Sequence, residues 1–368
     1  MLQRLYVDNY RCFVNFECHF AAKQLILGSN GSGKSTLIAV LGLLRDFSIN
    51  GNQHDAMFVG YTRTRWQDLP MQNFELDVLG NGGLYTFRLA MDSWGNPTRP
   101  RVVSEEVLYS GKPIFRFANG EVHLFNDRHE AKVKYPFDPY RSALATITER
   151  PENTKLSWFK QWFRRLWFVS PDPNQMNALA TKEESGPTRN LSNFANWYRH
   201  LRLEDDDQEL LADLREVIPG FLSMDLKEAG MGNRVLGLTY PDLEKTGKPP
   251  FYTFSELSDG QRVLVGLYTL LHFGAKHGVS LVLDEPENFI ALAEIQPWLN
   301  KLLDQAELTD AQVLIVSHHP ELLNRLAFES GLLLDRPDGR HTRARPFSDS
   351  AETGLSPAEL VARGWENE

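Results

Sequence analysis

The run Gly28-Ser29-Asn30-Gly31-Ser32-Gly33-Lys34-Ser35 places three glycines ahead of a lysine and a hydroxyl, a spacing suited to holding phosphate. Glycines let the backbone turn several N–H groups inward, and a helix that starts at the lysine adds the positive end of its dipole. Gly28, Asn30, Gly31 and Gly33 then shape the cradle, and Lys34 sits on the β- and γ-phosphates. The Ser35 hydroxyl goes to Mg²⁺, and Thr36 donates to the α-phosphate. An ordinary glycine-rich turn before a helix is the bland alternative. A second element is the apolar run 279–283 ending in Asp284-Glu285-Pro286-Glu287. Two adjacent carboxylates at a strand end suit a metal: Asp284 holds the magnesium and Glu285 orients and deprotonates an attacking water. Solvated acids at a capped strand end are the alternative there. Together these residues point to phosphoryl transfer from ATP to water, with Mg²⁺.

The elements that position them follow from periodicity. Residues 2–7, 13–20 and 24–27 read as strands, the last running into the glycine loop, and Leu37, Leu41 and Leu44 mark a helix over 35–46. From 50 to 165 the pattern alternates, as at 74–79 and 85–91 around the Asn81-Gly82-Gly83 turn, and predicts an antiparallel sheet after the first helix. Helices are expected over 155–165, 193–202 and 207–217, and strands over 166–169, 221–227, 235–240 and 313–316. The loop 170–177 lies between. The fold class is α/β, with segments 1–49, 50–165, 166–255, 256–346 and a tail, 347–368, whose helix runs to Trp365.

A third element, Leu257-Ser258-Asp259-Gly260-Gln261-Arg262, opens the apolar helix that holds Val263, Leu267 and Leu271. Its helix start is again an anion site, a plain capped start being the alternative. Leu-Ser-Asp-Gly-Gln resembles the signature motif of ABC-type ATPases, and the order of loop, signature and acidic strand fits that class. The resemblance implies a P-loop NTPase fold, an ABC-ATPase-like head with an antiparallel β lobe and a helical lobe. It also implies a homodimer or higher homo-oligomer, in which Ser258, Gly260 and Gln261 of one subunit complete the nucleotide site at Lys34 of another. His318, in Ser317-His318-His319-Pro320, resembles the switch histidine that contacts the γ-phosphate, with His319 the lesser candidate.

Within that class, Asn9-Tyr10-Arg11-Cys12-Phe13, Asp-Glu-Pro-Glu and Ser-His-His-Pro are similar to the RecF, OLD and SMC branch. Arg11 is then expected near the nucleotide, and residues 104–109 resemble a recurring strand of the stand-alone members. Where relatives carry a His-Pro pair, this chain has Phe289-Ile290-Ala291-Leu292. Gln175 is the candidate for the glutamine that reaches the metal. Sustained heptads and a Toprim-sized segment after His318 are absent from the sequence, which argues against an SMC protein or an OLD nuclease. By family analogy the chain signals to DNA or to an effector such as a nuclease or toxin, in anti-phage defence or DNA repair. A transporter's nucleotide-binding subunit and a low-turnover ATP-gated scaffold are the alternatives; the long interval from Lys34 to Ser258 argues against the first.

Composition bounds these readings. With 368 residues, 42% of them hydrophobic, the chain can bury a large core, and a formal charge of −9 is unlike a dedicated nucleic-acid-binding domain. Local basic clusters remain candidates for DNA: Arg63 with Arg65, Arg164 with Arg165, Arg199 with His200 and Arg202, and Arg340 with Arg343 and Arg345. Cys12 and Cys18, with His19, have poor spacing for a metal and read as thiols. Glu204-Asp205-Asp206-Asp207 reads as an acidic helix start. Trp162, Trp167 and Trp197 read as core or partner surface. A cytoplasmic protein is expected, since Cys12 and Cys18 make no secreted-type disulfide framework and the start lacks the apolar run of a signal peptide, and no apolar run approaches the roughly 20 residues of a membrane span.

Overall fold

Leu5 and Val7 of β1 (Leu2–Asp8) and Phe16 and Cys18 of β2 (Phe16–His19) are buried in alternation, as one covered face of an antiparallel pair requires. The second strand is shorter than its sequence suggests. Tyr10 bridges Phe13 across a tight turn in which Asn9, Arg11 and Asn15 take positive φ, so pairing resumes only at Phe16. β3 (Lys23–Leu27) is buried along nearly its whole length and runs directly into the glycine loop and α1 (Lys34–Ser48). The structure is a computed structural model that describes residues 1–51, 58, 62–94, 99–245, 247–348 and 354–364. Two compact units divide the chain, Met1–Leu166 with Leu326–Glu368, and Trp167–Arg325.

In the first unit, β4 (Met71–Gly80), β5 (Gly83–Asp92), β6 (Arg101–Tyr109), β7 (Lys112–Ala118), β8 (Glu121–Phe125) and β9 (Ala131–Pro136) form the antiparallel strands expected after the first helix. They continue the sheet that β1 begins: the order is β2-β1-β4-β5-β6-β7-β8-β9, with Leu5 opposite Leu76 and Val7 opposite Phe74. Asn81 and Gly82 at φ 49 and 76 make the turn that suits the strand twist. The sheet carries α2 (Ala143–Thr146) and α3 (Thr154–Arg164), whose Trp158 stacks on Tyr85 at 4.9 Å. Glu105, inside the run 104–109, is buried and accepts hydrogen bonds from Ser142 Oγ (2.6 Å) and the backbone N–H groups of Ala143 and Leu144. At the other end of α2, Lys160 Nζ donates to the carbonyls of Leu144 (2.9 Å) and Ile147 (2.5 Å). Burial pushes the Glu105 carboxyl up to about 7 and the Lys160 ammonium down to about 8.

The second unit runs through β10 (Leu166–Val169), β11 (Leu179–Ala180), α4 (Phe194–Glu204), α5 (Gln208–Val217), β12 (Ser223–Glu228), β13 (Arg234–Thr239), β14 (Phe251–Thr253), α6 (Asp259–Phe273), β15 (Ser280–Asp284), α7 (Leu292–Thr309) and β16 (Val313–Val316). α6 is buried from Val263 to Leu271, so it is the core helix of the unit, and Trp298 of α7 donates to the Leu267 carbonyl at 2.9 Å. β15 and β16 pair in parallel, Leu281 opposite Val313, and their continuous apolar runs suit a strand covered on both faces. Trp167 meets Trp197 edge to face at 5.4 Å, and Trp197 is fully buried. The acidic run leads into a helix start as expected, with Asp207 at the N-cap of α5, and it is also tied into the unit. Asp207 is buried and accepts from the Tyr198 hydroxyl, while Asp205 pairs with His277 at 3.0 Å.

After α8 (Pro320–Ser330), β17 (Gly331–Asp335) pairs in parallel with β3, Leu332 opposite Ile26, and β18 (Arg343–Pro346) adds antiparallel to β17. A capping box at Ser356 and Glu359 starts α9 (Pro357–Arg363); Trp365 lies outside the described residues. Among the described residues, no helix is long and apolar enough to cross a membrane.

Candidate functional site

The glycine loop is held in a backbone path that other residues resist. Gly28, Gly31 and Gly33 take φ of 140, 78 and 115, and Gly33 is the residue from which α1 begins. A Cβ on Gly28 would lie 2.2 Å from the Leu334 carbonyl oxygen of β17, and one on Gly33 would lie 2.9 Å from Thr342 Oγ1. At Gly31 a Cβ would meet nothing, so only the dihedral asks for glycine there. Lys34 is buried, and its ammonium donates to the carbonyls of Gly28 (2.6 Å) and Ser29 (3.1 Å). Asn30 and Ser35 are exposed and Thr36 half-buried on the first turn of α1.

The loop is buttressed from within the first unit by residues that local sequence does not advertise. Thr342 donates from Oγ1 to the Ser32 carbonyl (2.7 Å) and from its N–H to the Cys12 carbonyl (2.9 Å). Arg336 donates to the carbonyls of Gly31 (3.2 Å), Gly339 (3.0 Å) and Arg340 (2.8 Å), and its guanidinium lies over the Trp66 ring. The turn that carries Arg11 abuts the loop at Gly33, where a Cβ would meet Cys12 Sγ and Phe13 at 3.2 Å. Arg11 itself is exposed and sits against the Tyr10 ring. Asn9 is buried and works as a staple: its amide donates to Leu69 and Met71 carbonyls at 2.7 Å and accepts from the Thr64 N–H.

In the second unit, Asp284 ends β15 and accepts from Arg189 at 3.0 Å. The next residue of the same loop, Asn190, donates to Gln175 Oε1 at 2.5 Å, while the Gln175 amide donates to Asp172 at 2.6 Å. One dipeptide therefore links Asp284 and Gln175, two of the three candidate metal residues, and no sequence spacing marks Arg189. Glu285 follows at φ 49, a conformation uncommon for a side chain of its size; its N–H goes to the Val316 carbonyl (2.8 Å) and its carboxylate accepts from Asn288 (3.0 Å). Glu287 is buried and accepts from Ser317 Oγ at 2.5 Å, which ties the acidic turn to the Ser-His-His-Pro segment, and burial raises its carboxyl above the usual range. His318 is exposed; His319 is half-buried, its Nδ1 accepts from the Glu321 N–H (3.3 Å), and burial holds it below the usual imidazole range.

Ser258 caps α6 in a reciprocal box with Gln261, its Oγ accepting from the Gln261 N–H while the Gln261 side-chain Oε1 accepts from the Ser258 N–H at 3.2 Å. Gly260 has a steric cause, since a Cβ there would lie 2.8 Å from the Phe289 carbonyl oxygen. The Phe289 segment thus packs on the start of α6. Arg262 bridges Asp259 and the Pro173 carbonyl, both at 2.5 Å, so the loop of Gln175 is tied to the same helix end.

The other candidates resolve mostly into structure. Arg164 pairs with Glu149, Arg199 with Glu183, Arg202 with Asp207 and Arg345 with Asp335, as solvated or structural cations do. Trp162 stacks on Phe163. Cys12 faces Gly33, and Cys18 is buried with its thiol pushed up by that burial. Among the described residues, no group of three or more His, Cys, Asp or Glu side chains could hold a metal by itself.

With this geometry in place, the chain belongs to the family described as "AAA domain, putative AbiEii toxin, Type IV TA system", whose model matches residues 53–324. The matched span begins after the glycine loop and includes the signature, the acidic strand end and His318. The fold is that of the ATP-binding P-loop ATPases of the SMC, RecF and ABC-like branch. The structure is similar to the SMC head domain from Thermotoga maritima, with a TM-score of 0.50 and 15% identity over 94% of this chain and 99% of that one. It is also similar to an SMC head bound to the C-winged helix domain of ScpA, with a TM-score of 0.58 and 11% identity over 96% of this chain and 99% of that one. No curated protein matches the chain.

Proposed function

We propose that this chain binds ATP with Mg²⁺ at the glycine loop and hydrolyses it, working as a homodimer that passes the outcome to an effector protein or to DNA. The observation that carries the reading is Lys34: a buried ammonium on the Gly28 and Ser29 carbonyls, at the start of α1, in a loop whose glycines turn its backbone inward. The residues fit the ligand. Positive φ at Gly28, Gly31 and Gly33 suits a loop that closes around phosphate, and the Ser35 hydroxyl and the Asp284 carboxylate would hold the Mg²⁺.

In this reading Lys34 exchanges loop carbonyls for phosphate oxygens, and Asp284 turns from Arg189 to the metal, with Gln175 as a further ligand. Glu285 accepts the proton of the attacking water, its position set by Val316 and Asn288, and His318 contacts the γ-phosphate. Bound Mg²⁺ neutralises the charge that builds on the phosphates. Ser258, Gly260 and Gln261 of the partner subunit complete the site at Lys34, and Arg11 lies close by. The family description, which names a toxin and a toxin–antitoxin system, supports a role in defence beside such an effector; DNA repair is the second setting. The solved SMC head bound to ScpA supports a protein partner in general.

The test is phosphate release from ATP by the purified chain with and without Mg²⁺, beside Lys34→Ala. Mg²⁺-dependent release that Lys34→Ala abolishes is expected. Release that survives Lys34→Ala sinks the reading.

A further inference from the structure

Trp66 is an indole left 43% exposed on a loop, in a position where burial would have been favourable. It is not loosely placed. The Arg336 guanidinium lies 5.2 Å from the ring centroid, and all three of its nitrogens are committed to the carbonyls of Gly31, Gly339 and Arg340, so the plane that supports the indole is fixed. His341 meets the ring edge to face at 6.3 Å. The exposed part of the ring borders a cleft of about 310 Å³ lined by Arg63, Thr64, Arg65, Trp66, Gln67 and Asp68.

The same loop is bound to the phosphate cradle at two points. Arg336 touches Trp66 and the Gly31 carbonyl with one guanidinium, so the indole stands from the cradle at less than the span of a nucleoside triphosphate. At the other end, the Arg11 N–H donates to the Thr62 carbonyl (2.7 Å) and the Thr64 N–H to Asn9, and the turn holding Arg11 abuts Gly33. Trp66 and the cradle are therefore parts of one braced structure in the first unit. A pre-positioned aromatic face costs little further entropy when a planar ring settles on it, and stacking is indifferent to the hydrogen-bonding edge of that ring.

We propose that Trp66 is the stacking platform for the base of the nucleotide whose phosphates the glycine loop takes, favouring purines for their larger face. The assignment rests on the nucleotide reading of that loop. Cationic neighbours fit the ligand: Arg63 and Arg65 line the cleft with the single carboxylate of Asp68, and Arg336 lies over the ring, so cations outnumber acids around the platform.

Titration calorimetry of the full chain with Mg²⁺, using ATP and inorganic tripolyphosphate as separate probes, tests it. Tripolyphosphate carries the phosphates without a base. Trp66→Ala is expected to weaken ATP by about tenfold or more and to leave tripolyphosphate within about twofold, with Trp66→Phe recovering most of the ATP affinity. Unchanged ATP binding by Trp66→Ala, or equal loss of both probes, overturns the assignment while leaving the loop's phosphate role standing. A parent chain that binds neither probe overturns the loop reading, and the platform with it.

Discussion

Arg189 donates to the carboxylate of Asp284 at 3.0 Å across 95 residues of sequence, so the acid at the end of β15 is already charge-balanced by a residue of its own unit. Arg189 is half-exposed, and such pairs contribute less than about 1 kcal/mol to stability. Arg189→Ala is therefore expected to unfold within about 1 kcal/mol of the parent in urea. The same change frees Asp284 for a cation. The Mg²⁺ concentration giving half-maximal ATP turnover should fall by a few-fold, and an unchanged or raised requirement would show that Arg189 does not compete at that carboxylate.

The glycines of the cradle are not equivalent. Gly28 combines φ 140 with a carbonyl 2.2 Å from where a Cβ would stand, while Gly31 needs only its φ of 78. Gly31→Ala should cost about 1–2 kcal/mol, the ordinary penalty for a left-handed residue. Gly28→Ala adds a clash with β17 and should cost more than about 3 kcal/mol or fail to fold. Urea midpoints of the two variants, compared directly, check the ranking; equal losses would contradict the clash.

Glu105 makes stability depend on pH in a known direction. Its folded carboxyl titrates near 7, above the ordinary 4.5, so between those values the folded chain holds a proton that the unfolded chain has lost. Stability then falls as pH rises from about 4.5 and levels off above about 7, an effect on the order of 3 kcal/mol. Lys160, lowered to about 8, stays charged through most of that window and contributes its own change above it. Glu105→Gln keeps the acceptor for Ser142 and removes the titration, so its urea midpoints from pH 5 to 7.5 should lie on a flatter curve than the parent's. A parallel pair of curves would rule out Glu105 as the source.

What could be read from the chain beforehand follows the range of the interactions. The glycine loop, the acidic strand end and the α6 cap are local patterns, each closed within a few residues, and Gly28, Lys34, Asp284 and Ser258 stood out for that reason. Strands such as β4 and β5 announced themselves by alternation and by Asn81-Gly82. The residues that brace these motifs come from far away. Arg336 and Thr342 reach the loop across 305 and 310 residues, and no spacing rule connects them. Arg189 lies in an irregular loop with no periodicity at all. Glu287 was visible in Asp-Glu-Pro-Glu, but its partner Ser317 belongs to a strand end whose proximity depends on the parallel pairing of β15 with β16. Residues 13–15 differ from the strand expected over 13–20 because Phe13 closes a turn by bridging Tyr10 and Asn15 takes positive φ, so the strand starts only at Phe16.

Hydrolysis assigned to Glu285 is the centre of the account, and a single-turnover comparison with Glu285→Gln tests it most directly. The parent and the variant should bind ATP with Mg²⁺ about equally, since the amide keeps the shape and the bond from Asn288, while phosphate release by the variant should fall by about a hundredfold or more. Release by Glu285→Gln at the parent's rate, with ATP bound, would contradict it.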